Sequence, residues 1–482
     1  MPLRNVYILI VAFFLGLLCH ATARQRQSAR VIGEAVDLVN RYYVDSVDDR
    51  VLLEDAMSGM LQSLDQHSQY IAPDAYEAFE SFLQQEFAGI GILIEQPDPD
   101  APVRVITPLV GSPALRAGLL PGDEIVEVDG VDVRGMPLQK VSDRLRGPLD
   151  EKVQVGLRRG EDERLTVAVR RGQIALESVV GDHRNRDSEW VFRVREHPRI
   201  GFVRITSFGE KTVAEMRQAL TQLDNQFDAF VLDLRGNAGG LLNAAVDVCD
   251  FFLEEGLIVT TRGRGDKIVS KATASAGTLI DPQKPMAVLI NGESASASEI
   301  VAACLQDQRR ATIVGTRSFG KGTVQNILMM EYGRSALKLT TARYYRPSGR
   351  NIHRRRDADE EEEWGVSPDP GAVVELSESA RQQLVRRWQK ATYPVLQTSP
   401  EAAPPRAQQE APASAEAPEP AESAESAQDQ PDVSPAERAA GRTSESDEAA
   451  ADSTADAPQE LLPRDDPQLR RAIERLRAAL SS

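Results

Sequence analysis

Three serines, Ser294, Ser296 and Ser298, stand in a stretch of small residues that suits nucleophilic chemistry. The stretch follows an apolar predicted strand and precedes a predicted helix. A hydroxyl at a helix N-terminus lies where backbone amide dipoles stabilise negative charge. The same residues also form a helix cap, because Ser296 and Glu299 have the spacing of a capping box. Spacing alone does not choose among the three serines.

Lys321 is the residue that could activate such a serine, and it lies 25 residues beyond Ser296 in the stretch 318–325. A lysine acts as a general base only when it is neutral. Its ordinary pKa is about 10.4, so bringing that value near 7 costs roughly 4–5 kcal/mol. Burial supplies changes of that size. Gly320 and Gly322 flank the lysine in an apolar neighbourhood, which is compatible with burial, although a solvated loop lysine is the commoner case.

A glycine pair, Gly239 and Gly240, ends the stretch 233–240 just after another predicted strand. Glycine allows backbone N–H groups to approach a ligand closely. The pair fits half of an oxyanion hole, and it fits equally well a tight turn between a strand and a helix.

Competing motifs are incomplete. The run 315–321 resembles a phosphate-binding loop, but Gly322 stands where Ser or Thr would bind Mg²⁺. Ser318 and Lys321 have the Ser-x-x-Lys spacing of penicillin-binding enzymes without the companion motifs. The run 292–296 is not the Gly-x-Ser-x-Gly motif of a nucleophile elbow, because Ser296 stands where the motif has its second glycine. This disfavours an α/β-hydrolase. No metal or cofactor is expected, because the histidines lack ligand spacing: His20, His67, His183, His197 and His353.

Periodicity and composition divide the chain into segments. Residues 28–84 predict amphipathic helices, and residues 86–172 predict a compact β domain of short strands between Gly/Pro turns. Residues 173–395 alternate strands and helices, which indicates an α/β core. Residues 396–460 are rich in Pro, Ala, Glu and Ser and are predicted to be disordered. Residues 461–482 predict a helix that Asp466 caps.

The core strands are predicted at 200–205, 230–234, 286–290 and 312–314, and the core helices at 212–224, 240–253 and 297–306. The predicted β-domain strands are 91–94, 103–106, 124–128, 153–157 and 165–169.

The net charge of −17 argues against nucleic-acid binding. Much of that charge is local, because residues 401–460 hold 15 Asp/Glu against three Arg, a net of −12.

The first 23 residues predict a signal peptide. Arg4 precedes an apolar run, 6–18, and 21–23 reads Ala-Thr-Ala, a cleavage pattern. The run is short for a membrane span, so cleavage is favoured over an uncleaved anchor. Cys19 would leave with this segment. Cys249 and Cys304 lie in apolar stretches and are predicted to be free, buried thiols.

In their order along the chain, these motifs resemble the carboxy-terminal processing (tail-specific) protease family. The motifs are Asp-Leu-Arg-x-Asn-x-Gly-Gly at 233–240, Ser-Ala-Ser-Ala-Ser-Glu at 294–299 and Phe-Gly-Lys-Gly-x-Val-Gln at 319–325. The resemblance covers 31–369 and resumes at 466–480, with supporting stretches at 43–45, 89–91, 339–345 and 347–350.

By this resemblance Ser296 is the nucleophile, Lys321 is the base and Gln325 orients Lys321. The implied oxyanion hole consists of the N–H groups of Ala297 and a glycine, with Gly240 preferred to Gly239. The implied reaction is acyl transfer from a peptide to Ser296 and then to water.

The resemblance also implies that the β domain is PDZ-like and captures the C-terminus of a protein substrate as an added strand. Arg146 is the expected link between this domain and the core. The implied peptide-binding residues are Phe87, Gly89, Ile90, Gly91 and Ile92.

The implied fold is a multidomain α+β protein, with N-terminal helices, a PDZ-like domain, a ClpP/crotonase-like α/β protease core, an acidic linker and a C-terminal helix. The family allows a homodimer through the terminal helices. Export to the periplasm or another extracytoplasmic space is expected, with membrane contact only through an uncleaved N-terminal segment. Departures from the family are Gln66 in the 65–68 turn, the hairpin 146–151, the charged insertion 354–363 and the long linker.

A PDZ scaffold with an inactive core and a nucleotide-binding protein are the alternative hypotheses. Acylation of Ser296 would exclude the first, and absence of Mg²⁺-dependent nucleotide binding would exclude the second.

Overall fold

The computed structural model describes residue 13 and residues 27–160, 163–355, 358–359, 362–394 and 466–481. The predicted signal segment, apart from Phe13, and the predicted linker 396–460 lie outside the described residues. Among the residues described, no helix combines the length and the apolar character that crossing a bilayer requires.

The N-terminal part is helical, as predicted, except for one strand. Asp48 begins the second helix by accepting a hydrogen bond from the Arg50 N–H at 2.9 Å. The strand was not predicted, because its residues read as part of a turn, and it pairs antiparallel with residues 336–338 of the core. The elements are α1 (Gln27–Tyr42), α2 (Asp49–Gln62), β1 (Gln69–Ile71) and α3 (Pro73–Gln84).

The β-rich segment forms an antiparallel sheet with strand order β3-β4-β5-β7-β8, and β6 pairs with β5. Its core is apolar and includes Val105, Ile125 and Val155, which are fully buried. The separate pair β2-β9 lies where this segment meets the core. The elements are β2 (Glu86–Gly89), β3 (Ile92–Glu95), β4 (Val103–Pro108), α4 (Pro113–Arg116), β5 (Glu124–Val128), β6 (Val131–Asp132), α5 (Leu138–Leu145), β7 (Lys152–Arg159), β8 (Glu163–Arg170) and β9 (Gly172–Ala175).

The predicted α/β core is built on a sheet with strand order β10-β14-β15-β18-β19, in which β14, β15, β18 and β19 are parallel. Two short strands, β10 and β13, pair antiparallel with β14. The elements are β10 (Val179–Val180), β11 (His183–Arg184), β12 (Trp190–Val191), β13 (Arg193–Val194), β14 (His197–Ile205), α6 (Thr212–Leu223), β15 (Ala229–Asp233), α7 (Leu242–Asp250), β18 (Met286–Ile290), α8 (Ala297–Asp307) and β19 (Thr312–Gly315).

Both faces of this sheet are covered, which explains why its strands read as continuous apolar runs. In β18, Val288 and Ile290 point to the face packed by α6, α7 and α8. Ala287 and Leu289 point to the other face, where the C-terminal helix α10 (Pro467–Ser481) lies. Cys249 and Cys304 are free, buried thiols, as predicted.

A second, antiparallel sheet has the order β1-β21-β16-β17, and β20 pairs with β21. This sheet matters for the site, because β20 begins directly after the Lys321 loop and β21 carries β1 on its edge. The elements are β16 (Leu257–Arg262), β17 (Ile268–Thr273), β20 (Thr323–Met330) and β21 (Ser335–Tyr345), with 3₁₀ turns at Arg264–Asp266 and Glu331–Gly333 and a later helix, α9 (Glu378–Thr392).

Candidate active site

The structure separates the three serines by what their hydroxyl groups do. Ser294 donates its Oγ hydrogen to the Leu234 carbonyl, and Ser298 donates to the Asn237 carbonyl, each at 2.9 Å. Both of these side chains are completely buried. Ser296 is only partly buried. Ser294 and Ser298 therefore hold the loop, whereas Ser296 is accessible to a substrate.

Ser296 sits at a strained corner of the backbone. Its φ of 55° and ψ of −113° are unusual for a residue with a side chain, and such a conformation costs about 1–3 kcal/mol. It immediately precedes α8, so the first N–H groups of that helix, including that of Ala297, have no acceptor within the helix. Strain of this kind, retained at a helix N-terminus, is typical of a functional position.

The buried carboxylate of Glu299 joins the serine loop to the lysine loop. Its Oε2 accepts the N–H of Ser296 at 2.9 Å and the N–H of Lys321 at 2.8 Å. Its Oε1 accepts the N–H of Gly320 at 2.6 Å and the hydroxyl of Ser318 at 2.5 Å. Burial raises the pKa of Glu299, and these hydrogen bonds act in the opposite direction.

Sequence reasoning recognised Glu299 only as a capping residue. The bond from the Ser296 N–H is the cap that the spacing predicts. The bond to Lys321 was missed, because no local pattern shows which loop will approach a carboxylate.

Lys321 is partly buried, and its pKa is lowered to about 8. Burial is the main cause, and the positive charge of Lys338 lowers the pKa further. The negative charges of Glu299 and Asp65 act in the opposite direction. A lysine with this pKa is neutral in an appreciable fraction of molecules near neutral pH.

Tyr344 is a further residue that sequence reasoning did not single out. Its side chain is buried, and its hydroxyl donates to the backbone carbonyl of Lys321 and also contacts the Ser296 side chain. Its backbone N–H donates to the Gly322 carbonyl at 3.1 Å. Burial raises the pKa of Tyr344, so the phenol stays protonated and supports both the Ser296 loop and the Lys321 loop.

The turn before β1 lies beside the lysine. Asp65 accepts hydrogen bonds from the Ser68 hydroxyl at 2.8 Å and the Thr340 hydroxyl at 3.2 Å. The pKa of His67 is lowered to about 4, first by burial and then by the charge of Lys321. His67 is therefore neutral at pH 7. The only sequence signal for this location was the 65–68 turn, which resembles a family motif.

Gln325 lies in β20 and reaches this same network. Its amide nitrogen donates to the Thr323 hydroxyl at 2.8 Å and to the Thr340 hydroxyl at 3.2 Å. Within the described part of the chain it makes no hydrogen bond to Lys321, so its orienting role stays a prediction.

The glycine pair faces the serine. A Cβ on Gly239 would lie 2.7 Å from the Ser296 Cβ and 2.9 Å from the Ala297 nitrogen. The Gly239 N–H donates to the Asn237 side-chain oxygen at 2.8 Å. The N–H of Gly240 makes no hydrogen bond to any residue that the structure describes, so this N–H and that of Ala297 are the available donors.

Asn237 connects this glycine loop to the serine loop. Its backbone carbonyl accepts the Ala295 N–H at 3.0 Å as well as the Ser298 hydroxyl. Its side-chain nitrogen donates to the Ile205 carbonyl at 2.9 Å. The Phe208 N–H donates to the Gly239 carbonyl at 2.9 Å. The candidate N–H donors of the oxyanion hole are thus held in place by hydrogen bonds on both sides of the glycine loop.

The predicted peptide-binding residues lie together at the junction of β2 and β3. Gly91 has a φ of +76°, and a Cβ there would lie 2.5 Å from the Ser112 Cβ. Ile90 is buried, and its carbonyl accepts the Ala114 N–H at 2.9 Å. The Arg146 guanidinium lies 5.9 Å from the centre of the Phe87 ring. Gly89 ends β2 and Ile92 begins β3.

Comparison with known proteins defines the class. Residues 104–159 match the PDZ domain and residues 199–370 match peptidase family S41. The chain is therefore a peptidase that carries a PDZ domain.

Relatives define the family more closely. The chain is 39% identical over 356 residues to a carboxy-terminal-processing protease of Bartonella bacilliformis, covering 73% of this chain and 75% of the relative. It is 35% identical over 302 residues to the carboxyl-terminal-processing protease of Synechocystis, covering 62% and 68%. The chain belongs to the carboxy-terminal processing serine protease family.

A solved structure, the photosystem II D1 C-terminal processing protease, covers 72% of this chain and 93% of its own, with 30% identity and a TM-score of 0.40.

Proposed function

We propose that Ser296 and Lys321 form the catalytic pair of this C-terminal processing protease. The shared carboxylate of Glu299 is the observation that supports the pair most directly. A single buried group accepts the backbone N–H of each residue, so the two loops keep one relative position. Ser296 is preferred over its neighbours because the hydroxyl groups of Ser294 and Ser298 are already used.

In the acylation step, neutral Lys321 takes the Oγ proton of Ser296 while Oγ bonds to the scissile carbonyl carbon. The carbonyl electron pair moves onto the oxygen, which is stabilised by the N–H groups of Gly240 and Ala297. The Lys321 ammonium then protonates the leaving amine as the C–N bond breaks. Water, deprotonated by Lys321, attacks the acyl carbon, and the Ser296 oxygen leaves and recovers its proton. Gln325 orients Lys321 indirectly, through its hydrogen bond to the Thr340 hydroxyl.

The substrates are protein chains bound by their C-terminus in the PDZ domain. The loop 89–91 receives the terminal carboxylate, and β3 pairs with the peptide as an added strand. Arg146, stacked near Phe87 at the start of this loop, transmits occupancy to the core. The apolar run 6–18 and the cleavage pattern at 21–23 support substrates among exported, periplasmic or extracytoplasmic proteins.

The boundaries 28–84, 86–172 and 173–395 are our domain assignment, with a ClpP/crotonase-like core. A homodimer would form through the N-terminal helix α1, which exposes Val31, Ile32 and Leu38. The apolar side of α10 already packs on the chain's own sheet.

The test is proteolysis of an unfolded protein with an apolar C-terminus by the mature chain, Ser296→Ala and Lys321→Ala. We expect cleavage by the parent and none by either variant, with all three equally folded by circular dichroism. Cleavage by Ser296→Ala would show that the nucleophile is a different residue. Ser275→Ala, at an exposed position of the core, is the matched control and retains activity.

A further inference from the structure

The end of the chain packs against the core immediately behind the glycine loop. In α10 one stripe of apolar side chains is buried on the second face of the parallel sheet: Leu469, Ala472, Ile473 and Leu476. Residues 396–465 separate this helix from the rest of the core along the chain. The contact is therefore a long-range docking of a terminal segment.

The first turn of the docked segment also carries buried polar side chains. Packing of the apolar stripe against the sheet does not require them. Asp466 and Gln468 are 3% and 1% exposed. Both meet Arg235, which is itself 1% exposed. Arg235 donates from Nη1 to Asp466 Oδ1 at 2.9 Å and to Gln468 Oε1 at 3.1 Å, and from Nη2 to Asp466 Oδ2 at 2.9 Å.

Arg235 is shared between this segment and the strand that leads to the glycine loop. Its Nε and Nη2 also donate to Asp233, the last residue of β15, at 2.9 and 2.6 Å. The guanidinium lies 5.5 Å from the centre of the Trp388 ring. While the segment is docked, Arg235 is 1% exposed, so a change that removes these acceptors leaves a buried charged donor without a partner, which is costly.

The backbone continues directly from Arg235 into the loop that holds the oxyanion donors. Gly236 follows with a φ of +70°, and its N–H donates to the Asn291 side-chain oxygen at 2.9 Å. A shift of Arg235 toward solvent would pull on this turn, and through Asn237 it would displace the Gly239–Gly240 pair.

We propose that the docked segment 466–481 is a positioning element of the active site, in which Asp466 and Gln468 hold Arg235 so that the glycine loop keeps its N–H groups on the oxyanion. Arg235 and Asp466 are positioning residues that touch no substrate. The inference rests on the proposed function, because it assumes that the Gly239–Gly240 loop supplies the oxyanion hole.

The first test compares Asp466→Asn with Glu474→Gln, a matched change at an exposed position of the same helix. We expect Asp466→Asn to lower kcat, and the rate of phosphonylation of Ser296 by a fluorophosphonate, by about 10- to 100-fold. KM and binding of a C-terminal peptide stay within about twofold, since these report substrate capture rather than the oxyanion hole. Glu474→Gln matches the parent. Equal kcat for the two variants would overturn the proposal.

A second test separates docking from positioning in the full chain. A foreign protease site is inserted between Gln430 and Pro431, the immobilised protein is nicked, and the released C-terminal piece is washed away. We expect kcat to fall and a synthetic peptide of residues 461–482 to restore it. The same peptide with Asp466→Asn, added until binding measured by fluorescence anisotropy is saturated, should not restore it.

Full activity after the C-terminal piece has been removed, or full restoration by the saturating Asp466→Asn peptide, would each overturn the proposal. Ser296→Ala is measured in the same assay. If it is active, the proposed function fails. If it is inactive while Asp466→Asn retains full kcat, only the positioning role fails.

Discussion

The backbone N–H groups of Ser296 and Lys321 donate to the same oxygen atom, Oε2 of Glu299, at 2.9 and 2.8 Å. The loop that carries Ser296 and the loop that carries Lys321 are thereby fixed to one another through a group that is itself completely buried. A substitution of Glu299 should therefore change the position of Ser296 relative to Lys321, although the Glu299 side chain forms and breaks no bond in the proposed reaction.

Glu299→Gln is expected to lower kcat by about 100-fold, an effect comparable to loss of an oxyanion donor, and to destabilise the fold by about 1–3 kcal/mol. An amide has one acceptor oxygen where the carboxylate has two, so some of the buried N–H donors lose their partner. Steady-state kinetics and urea unfolding measure the two effects. Glu293→Gln, at an exposed position of the same loop, is the control. A fully active Glu299→Gln would contradict the linking role.

The pH dependence of kcat/KM should report Lys321. The pKa of Lys321 is lowered to about 8, and only the neutral amine accepts a proton. Activity should therefore rise with pH, reach half of its maximum near pH 8 and level off at higher pH. Lys338→Met removes a positive charge that lowers this pKa, so the rise should move to higher pH and activity at pH 7 should fall.

Lys271→Met, on an exposed strand position, should leave the profile unchanged. An unshifted profile for Lys338→Met would show that the lysine pair does not tune the base.

Gly239→Ala should abolish proteolysis. The added Cβ would lie 2.7 Å from the Ser296 Cβ, at a φ of +104°. Gly277→Ala is the matched control, since its φ is +103° and a Cβ there meets nothing within 4 Å. It should cost about 1–3 kcal/mol of stability from backbone strain alone and keep full kcat. Equal activity of the two variants would mean that the Gly239 contact is unimportant.

The docking of the C-terminal segment should weaken in acid. Burial raises the pKa of Asp466, but the charge and hydrogen bonds of Arg235 outweigh it, and the folded-state pKa is lowered. Because this pKa is below the unfolded value, near 3.9, the stabilisation is complete above that value. It is lost as pH falls through the lower, folded-state pKa.

The measurement is the free energy of unfolding of the parent and of Asp466→Asn from pH 7 to pH 3. The difference between them should be constant near neutrality and shrink below about pH 4. If the difference in unfolding free energy did not change with pH over this range, the ionic contact between Asp466 and Arg235 would be contradicted.

Local patterns predicted a large part of the fold. The strands 286–290 and 124–128 were predicted with the bounds that the structure has, because runs of apolar residues between turn signals depend on neighbours in sequence. The cap at Ser296 and Glu299 is local for the same reason. The mixed helix-and-sheet architecture and the protease family were also identified from the residues.

The strand β1 was not predicted, since three residues become a strand only by pairing with β21. The roles of all the predicted site residues stay predictions, because no residue pattern states which groups a substrate will meet: Ser296, Lys321, Gln325, Gly240, Ala297 and Arg146.

By itself, the sequence determined several of the helices and buried strands, among them β5 and β18, and which serine and lysine motifs lie at their ends. Tertiary structure alone decided that Glu299 joins two loops, that Lys338 and Asp65 act on Lys321, and that Asp466 closes on Arg235 across 231 positions. The physical reason is that apolar periodicity is read along the chain, whereas a buried charge selects its partners from whatever groups the packed elements bring within hydrogen-bond distance.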